Sequence, residues 1–105
     1  MVDLLILRTL FRAGSTHGVG IAEEIFSLSG DRVHLDEGAL YPALHRLEKD
    51  GFIRGEWRIT EKRRRARFYE LTARGEKHLN TELTEWKEHT GAIRRVLGLA
   101  LEEMK

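Results

Sequence analysis

The chain has no cysteine and a single proline in 105 residues, and only 8% of its residues are aromatic. Without cysteine there is no disulfide, no thiol nucleophile and no thiolate-bound zinc. Long apolar runs are also missing. The greasiest stretch, MVDLLILRTLF, is broken by Asp3 and Arg8 and falls short of the ~20 residues needed to cross a bilayer. It also lacks the basic start and small-residue cleavage site of a signal peptide. A soluble, cytoplasmic protein with no membrane partner is expected. No Ser/His/Asp set or preorganised carboxylate pair stands out, so no enzyme activity is expected. His17-Gly18-Val19-Gly20 contains a GxG, but no strand precedes it and no Gly-Lys-Ser/Thr follows, which argues against a nucleotide loop. The pairs His78/Glu82 and Glu85/His89 have helical i, i+4 spacing without a third ligand. They read as surface pairs rather than a metal site, and no cofactor is expected.

Charge of one sign is scarce only in bulk. The net charge of +1 conceals a division. Residues 1–53 carry five basic and eight acidic side chains, net −3, whereas residues 54–67 carry seven basic and two acidic, net +5. The remainder is close to balanced. One concentrated positive patch points to a localised contact with an anionic partner rather than to general polyanion binding.

Val2 to Phe11 is apolar almost all round, with Leu4, Leu5, Ile6, Leu7, Leu10 and Phe11. A helix of that kind needs cover on every face, one side from its own core and the other from a second subunit. Ala13-Gly14-Ser15 ends it. Ser15 or Thr16 then caps a second helix through Ile21, Ala22, Ile25 and Phe26. Ser29-Gly30-Asp31 is a turn, and Asp36 is the N-cap of a third helix. In that helix Leu40, Ala43, Leu44 and Leu47 form a core stripe. The opposite face is Gly38, Pro42, His45 and Lys49, flanked by Tyr41 and Arg46. The Pro42 ring would press on the carbonyl of residue 38, and a slight kink is expected there.

Ile53, Gly55, Trp57 and Ile59 alternate with Arg54, Glu56, Arg58 and Thr60, the period of a half-buried strand. Tyr69 and Leu71 repeat it on the way back. Lys62, Arg63, Arg64, Arg65 and Arg67 crowd the hairpin tip and its exit. Thr72 caps a long final helix. Its seam, Leu79, Leu83, Trp86, Thr90, Ile93, Leu97, Ala100 and Met104, advances by fours and threes, as in helices that pack along one another. Gly91 and Gly98 are costly inside such a helix unless they permit close approach or a bend.

The basic tip has three readings: a solvated charge run, a nuclear localisation or polyanion patch that composition alone would allow, or a grip on phosphates. The adjacent amphipathic helix favours the last, since phosphates relieve the mutual repulsion and released counterions supply affinity. The outward face of the third helix is small or flat except for Tyr41, His45, Arg46 and Lys49, a profile that fits a major groove. Trp86 has two readings: ordinary dimer core, or the aromatic wall of a cavity where a planar apolar ligand stacks.

Taken together, His17–Ile21 (HGVGI), Glu37–Ile53 (EGALYPALHRLEKDGFI), the Trp57 strand and Arg63–Gly75 (RRRARFYELTARG), with the long last helix, resemble the PadR family of bacterial transcriptional regulators. The likeness runs from Leu4 to Leu97, and the length is similar to that of the short subfamily. It implies a winged helix-turn-helix over residues 1–72, mainly α with a small β-hairpin, followed by a dimerisation helix over 73–105. It implies a homodimer held by the last and first helices, with Leu4, Leu5, Leu79, Leu83, Trp86, Ile93 and Leu97 as interface candidates. It further implies that Tyr41 and the exposed positions of the third helix contact double-stranded operator DNA, with Lys62 to Arg65 in the wing. Most such proteins repress transcription and release DNA on a signal. Some place a Trp of the last helix in a drug-binding pore, to which Trp86 is similar in position. The alternative is a winged-helix protein-interaction module whose basic tip meets an acidic protein.

Overall fold

The computed structural model describes residues 1–99. Along them run α1 (Val2–Ala13), a short strand β1 (Ser15–His17), α2 (Gly18–Leu28), α3 (Glu37–Lys49), a hairpin of β2 (Ile53–Ile59) and β3 (Arg65–Leu71), and a long α4 (Ala73–Leu97). The mainly α architecture with a hairpin and a long last helix is the expected one.

Side chains fix where the helices begin. Asp36 Oδ1 accepts the Ala39 N–H at 2.9 Å, and Thr72 Oγ1 accepts the Gly75 N–H at 3.0 Å. Both caps are legible in the sequence, because a short side-chain oxygen can satisfy an otherwise orphaned N–H of the first turn. The start of α2 departs from expectation. Neither Ser15 nor Thr16 caps it; His17 does, its Nδ1 accepting the Gly20 N–H at 3.0 Å. Ser15, Thr16 and His17 are instead the strand β1, paired antiparallel with Glu70, Tyr69 and Phe68. The sheet therefore has three strands in the order β1-β3-β2.

The predicted stripe of α3 is buried as a unit. Leu40, Ala43, Leu44 and Leu47 join Ile6, Leu7 and Leu10 of α1, Ile21 and Ile25 of α2, Ile53 and Tyr69 of the hairpin, and Leu79 of α4. Each fully buried Leu or Ile contributes about 1.5–3 kcal/mol, so this cluster is what organises the helices. α1 lies at its centre and touches α2, α3, α4 and β3. Its cover is incomplete, however: Leu4 and Leu5 are half-buried and Phe11 is exposed. Pro42 sits within an uninterrupted α3.

The base of the hairpin is tied to the start of α4. The Phe52 carbonyl accepts the Thr72 N–H at 3.1 Å, and the Thr72 hydroxyl donates to the Gly51 carbonyl at 2.7 Å. Gly75 packs so closely on this joint that a Cβ there would lie 1.9 Å from the Phe52 oxygen. Only glycine fits.

Two expectations about burial need correction. The β2 alternation identifies the strand, but only Ile53 is buried; Trp57 is 57% and Ile59 73% exposed, because the hairpin outruns the helices beneath its base. On α4, Leu79 is 1% exposed within the single chain. It belongs to the chain's own core, with almost no surface left for a partner. Beyond it no described residue of α4 is buried; Leu83 is half-buried, and Trp86, Ile93, Val96 and Leu97 are exposed. The helix ends at Leu97. Gly98 adopts φ +75°, its N–H reaches the Arg95 carbonyl at 3.1 Å, and the Leu99 N–H reaches Arg94 at 3.0 Å. Gly98 is thus a helix stop of the Schellman type rather than an interior residue. The seam positions Ala100 and Met104 lie outside the described residues.

Candidate nucleic-acid interface

The site is built on α3 and the hairpin. At about 100° per residue, the core stripe of α3 leaves Gly38, Pro42, His45 and Lys49 outward, and all four are exposed. This face has two edges. Tyr41 and Glu48 border it on the side of the hairpin; Arg46 borders it on the side of α1.

The Tyr41 edge is packed against the start of α2. A Cβ at Gly18 would come within 3.1 Å of Tyr41 Cε1 and 3.2 Å of its hydroxyl. Glycine at 18 therefore lets the ring lie flat on the α2 terminus, and Tyr41 remains exposed. This contact accounts for Gly18; at Gly20 a Cβ would instead lie 2.4 Å from Thr16 Oγ1.

The hairpin tip is closed by backbone bonds between Thr60 and Arg64, with Thr60 N–H donating to the Arg64 carbonyl at 2.8 Å and Arg63 N–H to the Thr60 carbonyl at 2.9 Å. Arg63 takes a left-handed conformation, φ +58°, which favours Gly or Asn and disfavours a long side chain. Lys62, Arg63, Arg64 and Arg65 are all exposed. Four cations on so short a loop repel one another, and no carboxylate of the described residues forms a salt bridge with them. Here the predicted cluster is assembled as the charge pattern implied.

Two of the predicted basic residues are held differently. Arg46 donates to Asp3 of α1 at 2.9 Å and lines a cleft of about 520 Å³ with Leu4, Leu7, His78 and Trp86. It faces α1 and α4, away from the Tyr41 edge. Arg67 donates to Glu48 of α3, and its guanidinium lies 5.6 Å from the Trp57 ring centroid. The hydrogen bond to Glu48 raises the Arg67 pKa above its ordinary value. Gly55, directly across from Tyr69, leaves the room this guanidinium needs: a Cβ there would sit 2.8 Å from Arg67 Nε. Arg67 therefore serves the protein before it can serve a ligand. On the far face of the sheet Arg54 pairs with Glu70, whose carboxyl is held below its usual range mainly by that hydrogen bond.

Between the hairpin and the helices runs a second cleft, about 430 Å³, lined by Gly18, Tyr41, Trp57, Arg65, Arg67 and others. It reaches from Tyr41, at the edge of the exposed α3 face, to Arg65, where β3 leaves the basic tip. Trp86 lies elsewhere, in the α1–α4 cleft with Leu4, Leu7 and Glu82. His78 and Glu82 pair at 3.6 Å, as their spacing suggested. Among the described residues no cluster of His, Asp or Glu could hold a metal ion, and no helix is long and apolar enough to cross a membrane.

Comparison with known proteins agrees with this fold. The model of the Transcriptional regulator PadR-like family matches residues 6–81. Transcriptional regulator Rv3488 of Mycobacterium tuberculosis is 39% identical over 82 residues, 78% of this chain and 70% of that protein. Among solved structures, a transcriptional regulator from Clostridium thermocellum superposes with a TM-score of 0.81 at 30% identity, covering 90% of this chain and 87% of that one. Bacillus subtilis PadR, solved in complex with operator DNA, superposes with a TM-score of 0.69 at 26% identity, over 79% of this chain and 46% of that one. With its family model spanning every element from α1 into α4, the chain belongs to the PadR-like family of transcriptional regulators.

Proposed function

We propose that this protein binds operator DNA as a homodimer and represses transcription. One observation carries the reading: α3 exposes Gly38, Tyr41, Pro42, His45 and Lys49, and a cleft lined by Tyr41 and Arg65 leads from the edge of that face toward the exposed cations of the tip, so a duplex can meet both together. Gly38, Tyr41, Pro42, His45 and Lys49 form the face that enters the major groove, and the tip holds flanking phosphates. Arg46 and Arg67 take part by positioning, through Asp3 and Glu48. The solved operator complex of a family member supports the choice of partner.

The dimer follows from α4. Its outer half exposes Trp86, Ile93, Val96 and Leu97, with Leu83 half-buried, and α1 adds Leu4 and Leu5. An apolar strip of that length on an isolated helix is unfavourable in water until a second copy covers it. Residues 73–105 then act as the dimerisation element, although Gly75 and Leu79 also complete the core of the DNA-binding unit. Leu83→Asp and Ile93→Asp should each yield monomers by sedimentation, and a dimer surviving both contradicts this assignment.

Binding is tested by retardation of a duplex taken from upstream of the protein's own operon, against competitor DNA. Two recognition helices about 34 Å apart require a pseudo-palindrome. With about six phosphates neutralised per dimer, log K should fall against log[salt] with a slope near −5. Failure to bind any such duplex in a salt-dependent way overturns the reading in favour of a protein-interaction module. A second proposal concerns Trp86, which lines the α1–α4 cleft: a planar apolar effector stacks there and releases DNA. Quenching of Trp fluorescence by planar aromatic compounds, abolished in Trp86→Ala, supports it; identical quenching in the variant refutes it.

A further inference from the structure

We propose that the outer half of β2 is itself a DNA-contacting surface, with Trp57 and Ile59 packing on the deoxyribose of a strand that follows the cleft between wing and α3. This rests on the DNA-binding reading above and adds an apolar contact to it.

The register places Ile53, Gly55, Trp57 and Ile59 on one face of the hairpin, opposite Leu71, Tyr69, Arg67 and Arg65. The inner part of that face is core, with Ile53 and Tyr69 buried. The outer part continues it into solvent with the same chemistry, although no described element of the chain covers it: Trp57 is 57% and Ile59 73% exposed. On a hairpin tip a solvent-facing strand position ordinarily carries a polar side chain, because apolar surface there gains nothing from folding.

The margin of the patch identifies what covers it. The Arg65 guanidinium lies 4.7 Å and that of Arg67 5.6 Å from the Trp57 ring centroid, and Lys62 to Arg64 follow Ile59 around the tip. An apolar centre fenced by cations matches a nucleic-acid strand, in which apolar sugar faces alternate with phosphates. Apolar side chains beside cations are used elsewhere on DNA, where minor-groove proteins wedge them between base steps. A second copy of the chain would bring this same ring of cations against itself. Trp57 and Tyr41 also line one cleft, so a strand engaging the α3 edge runs past the indole.

The test uses the full chain with Trp86→Phe, which leaves Trp57 the only one of its two tryptophans. The operator duplex should alter Trp57 emission. Ile59→Ser should weaken binding about 5- to 10-fold at every salt concentration, leaving the slope of log K against log[salt] unchanged. Arg63→Ala with Arg64→Ala should instead flatten that slope by about 2 per bound subunit. Ile59→Thr keeps a β-branched residue in the strand and serves if the serine variant melts early. The proposal falls if Ile59→Ser and Ile59→Thr bind within 2-fold of the parent, or if they change the slope rather than the offset. It also falls if polyglutamate shields Trp57 as well as DNA does, or if the variants alter the sedimentation of the protein but not its DNA affinity. No binding by the parent protein would sink the DNA reading itself; the variants overturn this inference alone.

Discussion

Glu48 of α3 accepts a hydrogen bond from Arg67 of β3, two residues 19 apart in sequence and both partly buried. The pair joins the helix that presents the outward face to the strand that presents the basic tip. Its effect is to fix the distance between them before any ligand arrives.

Neutralising the acid should therefore release the base. In Glu48→Gln the Arg67 guanidinium loses its anionic partner, keeping at most a neutral amide acceptor, and becomes available to a phosphate. The slope of log K against log[salt] should steepen by about 1 per bound subunit, while discrimination between operator and competitor DNA narrows because the wing is less well held. A slope equal to that of the parent protein refutes the idea that Glu48 keeps Arg67 from the DNA.

Gly75 and Gly91 occupy one helix but should respond oppositely to alanine. At Gly75 a Cβ would meet the Phe52 oxygen at 1.9 Å, whereas at Gly91 the nearest atom is a flexible Arg95 nitrogen at 3.8 Å. Alanine gains up to about 1 kcal/mol of helix propensity at either position. At Gly75 this is outweighed by overpacking of about 3 kcal/mol, so Gly75→Ala should lower the urea midpoint markedly. Gly91→Ala should raise it or leave it. Equal effects at the two sites would contradict the geometry of the joint.

Arg63 should separate stability from binding. Its left-handed backbone costs about 1 kcal/mol that glycine does not incur. Arg63→Gly should melt no earlier than the parent protein, yet bind DNA with a salt slope shallower by about 1 per bound subunit. A clear loss of stability would show that the arginine side chain supports the turn.

Alkaline pH should act through Tyr69. Burial, and then the neighbouring Glu48 carboxylate, raise its pKa above the ordinary 10.0. A group whose pKa is raised on folding stabilises the fold fully below its unfolded value and loses that contribution as pH climbs through the folded one. Urea stability should thus begin to fall only above about pH 10, and Tyr69→Phe should flatten the fall. Absorbance at 295 nm should show a late-ionising tyrosine that disappears in Tyr69→Phe; no late phase in the parent protein would refute the shift.

Much of this arrangement is legible in the residues. Asp36 and Thr72 announce their helices through short side-chain oxygens, and Leu40, Ala43, Leu44 and Leu47 announce a buried stripe through their spacing. What escapes sequence reading is whatever depends on a distant partner. Arg46 and Arg67 read as free cations because Asp3 and Glu48 lie 43 and 19 residues away along the chain. Leu79 reads as part of an intermolecular seam because a heptad records the direction of an apolar stripe, not whose surface covers it. Strand β1 is three residues long, too short for alternation to register, and a histidine cap leaves no familiar signature. Trp57 and Ile59 alternate correctly, yet alternation cannot say how far the supporting helices extend.

The joint at Phe52, Thr72 and Gly75 has a geometric consequence. Because the wing base and the first turn of α4 share hydrogen bonds and leave no space for a methyl group, the direction in which α4 departs is not free to swivel against the sheet. In a symmetric pair built on α4, the spacing between two wings would then be decided at this point, well inside each subunit. A signal that changed the spacing would have to bend α4 beyond Leu79 or slide one copy along the other.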